Sequence, residues 1–197
     1  MNVLPNEKKK MVLNSLIEGN SIRSTVRMTG VNKKTVMRLL IEAGEQAQEI
    51  LDREMINIKS RFVQVDEIWC YVAKKQKQCT EEEKRKGSVG DQYVFVALDA
   101  DSKLVPAFTV GKRTSEIAIS FMKELQSRIS TRFQLSTDSF IPYRDAVDHV
   151  FGEDIDYGQI HKQYSEETKG EKRYSPANII SVTIRSEERR VGKECRL

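Results

Sequence analysis

The chain has 197 residues, 39% of them hydrophobic and 31% charged, with a formal net charge of +4. That suits one good-sized core with a small extra module; no apolar run approaches the roughly 20 residues needed to span a bilayer, and the start lacks the apolar stretch of a signal peptide. The three scattered cysteines, Cys70, Cys79 and Cys195, exclude a disulfide framework or a zinc module and point to a reducing cytoplasm.

Charge is uneven along the chain. Residues 1–40 carry eight bases against two acids, so this head is +6 and the remaining body sums to −2. A basic head on a nearly neutral body suits a phosphate partner. Asn6 is expected to cap a first helix that buries Met11, Val12, Leu13, Leu16 and Ile17. Gly19-Asn20 ends it, and Ser21 caps a short second helix containing Ile22, Val26 and Met28. Thr29-Gly30-Val31 is a tight turn, and Asn32 caps a third helix with Val36, Leu39 and Leu40 facing inward. Two helices joined by a short glycine turn form a helix-turn-helix, whose second helix offers its N-terminal residues to the major groove. Lys33, Lys34, Thr35 and Arg38 are therefore the candidate DNA-binding residues. Residues 42–59 extend the helical pattern as a connector, with Ile50, Leu51, Met55 and Ile58 on one face.

From Arg61 the pattern becomes β-like. The first strand covers residues 62–72, and residues 74–86 form a charged loop expected to be mobile. A second strand over 92–99 turns at Asp99 and Asp101, two acids read as turn chemistry, into a third strand over 104–111. A helix over 114–129, a strand over 132–137, a helix from Pro142 to Phe151 and a strand over 156–164 follow. Three antiparallel strands, then a helix and a parallel strand, give an α/β protein with a ribonuclease-H-like mixed sheet behind the helix-turn-helix. The expected domains are residues 1–55 and 61–184.

In that topology the first and fourth strands are neighbours, so Asp66 and Asp138 converge as candidate catalytic and metal-binding residues. Paired carboxylates suit two Mg²⁺ or Mn²⁺ ions about 4 Å apart, one activating a water or 3′-hydroxyl and the other stabilising the leaving oxygen. Asp66 is flanked by Phe62, Val63, Val65, Ile68 and Trp69, where a buried charge needs a partner or a metal. Glu67 is expected on the opposite strand face and so is a weaker ligand candidate. His149 and His161 read as structural or surface residues, with His161 a candidate for DNA contact.

Four segments carry a family resemblance: Val65-Asp-Glu-Ile-Trp-Cys-Tyr-Val72, the stretch from Leu98-Asp99 to Val110-Gly-Lys-Arg-Thr114, Thr137-Asp-Ser-Phe-Ile-Pro-Tyr143, and Ile160-His-Lys-Gln-Tyr164. In this order they resemble the catalytic region of bacterial insertion-sequence transposases of the DDE class, in particular the InsB-like group of insertion sequence one. The resemblance covers residues 61–164. It implies metal-dependent cleavage of transposon ends and joining of the 3′-hydroxyl to target DNA, with Asp66 and Asp138 as ligands of two Mg²⁺ or Mn²⁺ ions. It also implies terminal-repeat recognition by the head, a homo-oligomer on double-stranded DNA, no membrane partner and a place at the bacterial nucleoid.

Two departures stand out. The cysteine cluster that some relatives carry ahead of the helix-turn-helix is missing. So is the family's third acid, a glutamate in a Glu-Arg-x-Asn setting; Glu166, Glu167 and Glu171 lie at a permissible spacing but in a polar stretch. Residues 185–197 look like the translation of a sequencing-adapter oligonucleotide and are set aside as a non-native tail. On that reading the chain is a C-terminally truncated transposase whose last helix and third acid are lost, leaving it inactive and one sheet face less covered. The alternatives are a non-catalytic DNA-binding regulator or transposition inhibitor derived from a transposase, and an unrelated ribonuclease-H-like nuclease.

Overall fold

The computed structural model describes residues 4–164 and 179–187. The chain divides into two compact units, Met1–Met55 and Ile56–Leu197. None of the described helices is long and apolar enough to cross a membrane.

The first unit holds α1 (Asn6–Ile17), α2 (Ile22–Thr29) and α3 (Lys33–Glu54). The Ser21 side chain accepts from Ser24 N and that of Asn32 from Lys34 N, so each oxygen takes one of the free amides of a helix start. Between α2 and α3, Gly30 sits at φ 67°, a conformation that side-chain-bearing residues rarely adopt. Val12, Val31, Val36 and Leu39 form the small core. This core is narrower than helical spacing suggested. Met11, Ile17, Met28, Leu40 and Ile50 are exposed, and Asn6 is the first helical residue rather than the cap. A bundle of three helices has too little facing surface to bury every apolar side chain. Beyond Leu39, α3 runs on as one helix with no further buried residue.

The second unit is built on a six-stranded sheet ordered β3-β2-β1-β4-β5-β6, with β1 Phe62–Val72, β2 Gly90–Asp99, β3 Ala107–Gly111, β4 Gln134–Thr137, β5 Asp156–Tyr164 and β6 Ile179–Glu187. β1 pairs antiparallel with β2 and parallel with β4; β2–β3 is antiparallel, β4–β5 parallel and β5–β6 antiparallel. This is a ribonuclease-H-like α/β arrangement. β6 carries residues 185–187 into the sheet, while 188–197 and Glu166, Glu167 and Glu171 lie outside the described residues.

Helices α5 (Ser115–Arg128) and α6 (Ile141–Phe151) pack on one sheet face. Their Phe121, Met122, Leu125, Tyr143 and Val147 close a core over Val63, Val65, Phe95, Ala97 and Leu135. The alternation of a strand sends the intervening residues to the other face, where Phe62, Ile68, Phe108, Val110, Val182 and Ile184 are exposed.

The 74–86 segment is more ordered than a mobile loop. It forms a 3-10 turn (Gln76–Gln78) and α4 (Glu81–Lys86), the latter opened by a reciprocal Thr80–Glu83 capping box. Gln76 and Asp91 exchange hydrogen bonds of 2.9 and 3.1 Å, and Lys112 Nζ donates to Val89 O and Asp91 O at 2.8 and 2.6 Å. At Gly90, φ 87°, a Cβ would come within 2.3 Å of Gln76 Oε1, so the pinned turn requires glycine.

Asp99 closes the β2–β3 turn. It accepts from Ser60 Oγ at 2.7 Å, from the Ser102 hydroxyl, and from the amides of Ser102 and Asp101. The turn itself shields the carboxylate near the surface. The Ser102 hydroxyl first, then Ser60 and the two amides, hold its pKa below the usual aspartate value against the opposing effect of burial. A lowered folded pKa contributes stability above the unfolded value of about 3.9 and loses it as pH falls through the folded one. Asp99→Ala should therefore cost about 1–3 kcal/mol near neutral pH, a loss that shrinks below about pH 4, as denaturant unfolding at both pH values would measure.

Candidate carboxylate site

β1 and β4 pair only as far as Val65↔Thr137. Beyond that point β1 continues alone on this side, and the chain after Thr137 leaves the sheet into the start of α6. The break leaves a notch at the carboxyl ends of the parallel strands, the usual place for a ligand site in α/β sheets. Asp66, Glu67 and Asp138 border it, each with a carboxylate oxygen within 4.8 Å of the others. Asp66 and Asp138, the two acids predicted from sequence, do come together here.

Their environments differ from the expectation. Asp66 is exposed, on the face it shares with Phe62 and Ile68, and its Oδ1 accepts from Glu67 N at 2.8 Å. Its apolar neighbours in sequence do not bury it, because strand alternation and the uncovered face leave it in solvent. Glu67 is the buried acid: its side chain is 4% exposed, against 42% for Asp138. It lies on the helix-covered face, as alternation requires, yet it still reaches the notch because no β4 residue stands between it and Asp138.

Asp138 is held from several sides. Its Oδ1 accepts from Phe140 N at 2.9 Å, and its carbonyl accepts from the Thr137 hydroxyl at 2.8 Å. Arg113, in the turn between β3 and α5, reaches both Glu67 Oε2 at 3.1 Å and Asp138 Oδ2 at 3.2 Å. Its guanidinium lies 4.0 Å from the centroid of the Phe140 ring, which fixes its plane. Arg113 lies within one of the family-like segments, where the only sequence sign of its task is its position two residues after β3.

Burial raises the Glu67 carboxyl above the usual glutamate value. The nearby Tyr143 hydroxyl and Arg113 oppose that rise, and the Asp138 charge adds to it. The Tyr143 hydroxyl is pushed up strongly by burial, then by its interaction with the Glu67 carboxylate as a hydrogen-bonding group and as a charge, and last by the charges of Asp138 and Asp66, so it stays protonated. Tyr143 and Glu67 are close enough to couple, yet among the described residues neither the Tyr143 hydroxyl nor Glu67 Oε1 makes a hydrogen bond of good geometry. Three carboxylates gathered within 4.8 Å offer a set of hard oxygen donors that fits a divalent cation such as Mg²⁺ or Mn²⁺. Asp66, Glu67 and Asp138 are the residues that could hold it.

His161, on β5, is half-buried, with no hydrogen-bond partner for its Nε2 among the described residues, and His149 is exposed on α6. In the first unit, Lys33, Lys34 and Arg38 are exposed on the first turns of α3, and Thr35 is half-buried.

Strand order and the carboxylate notch together define a ribonuclease-H-like α/β protein with an acidic site at the ends of its parallel strands. No family model and no curated protein matches the chain. Among solved structures it is similar to a piggyBac transposase synaptic complex with hairpin DNA, at 11% identity and a TM-score of 0.42, over 89% of this chain and 48% of that one. The chain thus spans about half the length of that protein.

The raised Glu67 carboxyl carries a stability consequence. A folded pKa above the unfolded one favours the protonated form, so the favourable contribution is complete below the unfolded value of about 4.3 and is lost as pH rises through the folded value. In the metal-free protein Glu67→Gln should therefore raise the melting temperature at neutral pH by a few degrees and leave it nearly unchanged at pH 4. Thermal unfolding with chelator at the two pH values would check this.

Proposed function

We propose that the chain is a DNA-processing protein of the transposase type, with the second unit built for metal-dependent phosphodiester chemistry and the first for DNA recognition. The observation that carries this reading is the convergence of Asp66, Glu67 and Asp138 within 4.8 Å at the carboxyl ends of the parallel strands. The ordered motifs that resemble DDE-class insertion-sequence transposases support the more specific reading: cleavage at terminal repeats and transfer of the 3′-hydroxyl to target DNA by a homo-oligomer.

In this reading Asp66 and Asp138 are metal ligands, and Glu67 is a third carboxylate beside them. A divalent cation bound there would supply Lewis-acid activation of a water or 3′-hydroxyl and charge neutralisation at the phosphoryl oxygens. The residues themselves set the geometry. The Phe140 amide fixes the Asp138 carboxylate, Arg113 holds Glu67 and Asp138 together, and the protonated Tyr143 is a donor kept in the buried wall. Arg113 is also the cation nearest the acids, placed to meet a phosphate as well as a carboxylate. On the first unit, Lys33, Lys34 and Arg38 offer phosphate or guanine contacts and Thr35 a contact to a thymine methyl.

Titration of the full chain with Mn²⁺, followed by calorimetry, tests the acid site. Asp138→Ala and Asp66→Ala should each weaken Mn²⁺ at least about tenfold, a loss of about 1.4 kcal/mol, while duplex-DNA affinity is kept. Mn²⁺ binding unaffected by either change would remove the metal-site reading and leave a non-catalytic DNA-binding protein. For the head, Lys33→Ala or Arg38→Ala should weaken duplex binding and lower the slope of log affinity against log salt by about 0.9 for each phosphate the side chain neutralises. An unchanged slope would take those residues out of the interface.

A further inference from the structure

β1 does not end at the acid notch. Two residues beyond Glu67 on the same face stands Trp69, and two further stands Tyr71. Both rings are about half exposed, at 45% and 50%. Single surface aromatics are ordinary, but these two lie side by side, with centroids 5.7 Å apart and planes tilted by 39°. Lys75 places its ammonium 5.3 Å from the centre of the Trp69 ring. Across the sheet Trp69 pairs with Tyr93, whose ring is 5.9 Å from the Arg113 guanidinium. Rings and cations thus form one chain of contacts: Tyr71 to Trp69 with Lys75, and across the sheet Tyr93 to Arg113, which also holds Glu67 and Asp138.

Resting on the DNA-processing reading above, we infer that Trp69 and Tyr71 form a stacking platform for unpaired deoxynucleotides next to the acid notch, with Lys75 and Arg113 meeting the phosphates. The chemistry selects this ligand. A half-exposed indole beside a phenol offers π surface, which a base can cover only when it has left its own stack. Bases in an intact duplex hide those faces from the protein. Cations beside the rings match a phosphate backbone, and base–aromatic stacking tolerates any sequence. A strand end lying on the platform would bring its neighbouring phosphodiester toward Asp66 and Asp138.

Trp69 is the single tryptophan of the chain, so its emission reports on this place alone. The experiment titrates the full chain, in chelator, with a dye-labelled single-stranded oligodeoxynucleotide and with a blunt duplex of equal length. Anisotropy measures occupancy and tryptophan emission measures stacking. The single strand should quench Trp69 by about half, and the duplex, at equal occupancy, should leave it nearly unchanged. Tyr71→Ala should weaken single-strand binding by about fivefold or more, Tyr71→Phe should retain it, and duplex binding should be the same in both. Unchanged emission with the single strand, equal quenching by the duplex, or full single-strand affinity in Tyr71→Ala would each overturn the platform. Omitting divalent metal keeps the two proposals apart: quenching that persists in a chain unable to bind Mn²⁺ would uphold the platform and refute the metal site.

Discussion

Three carboxylates with oxygens inside 4.8 Å of one another repel, and the site is built around that repulsion. At an effective dielectric constant of about 20, one such pair repels by roughly 3 kcal/mol, less where Asp66 meets solvent. That is a sizeable fraction of the stability of a small domain. Arg113 answers part of it by bridging Glu67 and Asp138, and the raised Glu67 carboxyl answers another part by favouring its neutral form. Among the described residues Glu67 Oε1 is still without a hydrogen-bond partner of good geometry. The notch is therefore an arrangement with a standing electrostatic cost, and a second cation is the ligand that would relieve it most.

The rest of the second unit can be understood from that notch. β4 is only four residues long, and its early end leaves the β4 side of β1 without a partner strand beyond Val65, so Asp66, Glu67 and Asp138 meet although β1 sends its two acids to opposite faces. α5 and α6 pack on the Glu67 face, where the Glu67 side chain is buried, while Asp66 stays exposed on the other. Past β3 the chain places two cations in succession. Lys112 turns back to tie Gln76 of the 3-10 turn to the start of β2, and Arg113 turns inward to the acids.

Much of this could be read from sequence, for identifiable reasons. Asp66 within a β-like run and Asp138 at the end of another are visible because strand composition and turn residues are local properties. The strand order followed from three consecutive strands, a helix and then a further strand. Glu67 was harder: period-two alternation correctly put it on the other face, but its approach to Asp138 depends on where β4 stops pairing, which is tertiary. The burial imagined for Asp66 belonged to Glu67 instead, because apolar neighbours in a strand show what a sheet can cover, not which face helices will cover. In the first unit, Met11, Ile17 and Leu40 fit a helical apolar stripe yet remain exposed, since three helices lack the facing surface to bury it. Residues 74–86 read as a mobile charged loop because their anchors, Asp91 and Lys112, lie elsewhere in the chain.

The most direct test of the account is a crystal structure of the full chain grown with Mn²⁺, with the ion located by its anomalous scattering. The account predicts a peak in the notch, at about 2.0–2.2 Å from carboxylate oxygens of Asp66 and Asp138, with Arg113 drawn away from at least one of its two partners. A notch without an anomalous peak at saturating Mn²⁺, with Arg113 still bridging Glu67 and Asp138, would contradict it.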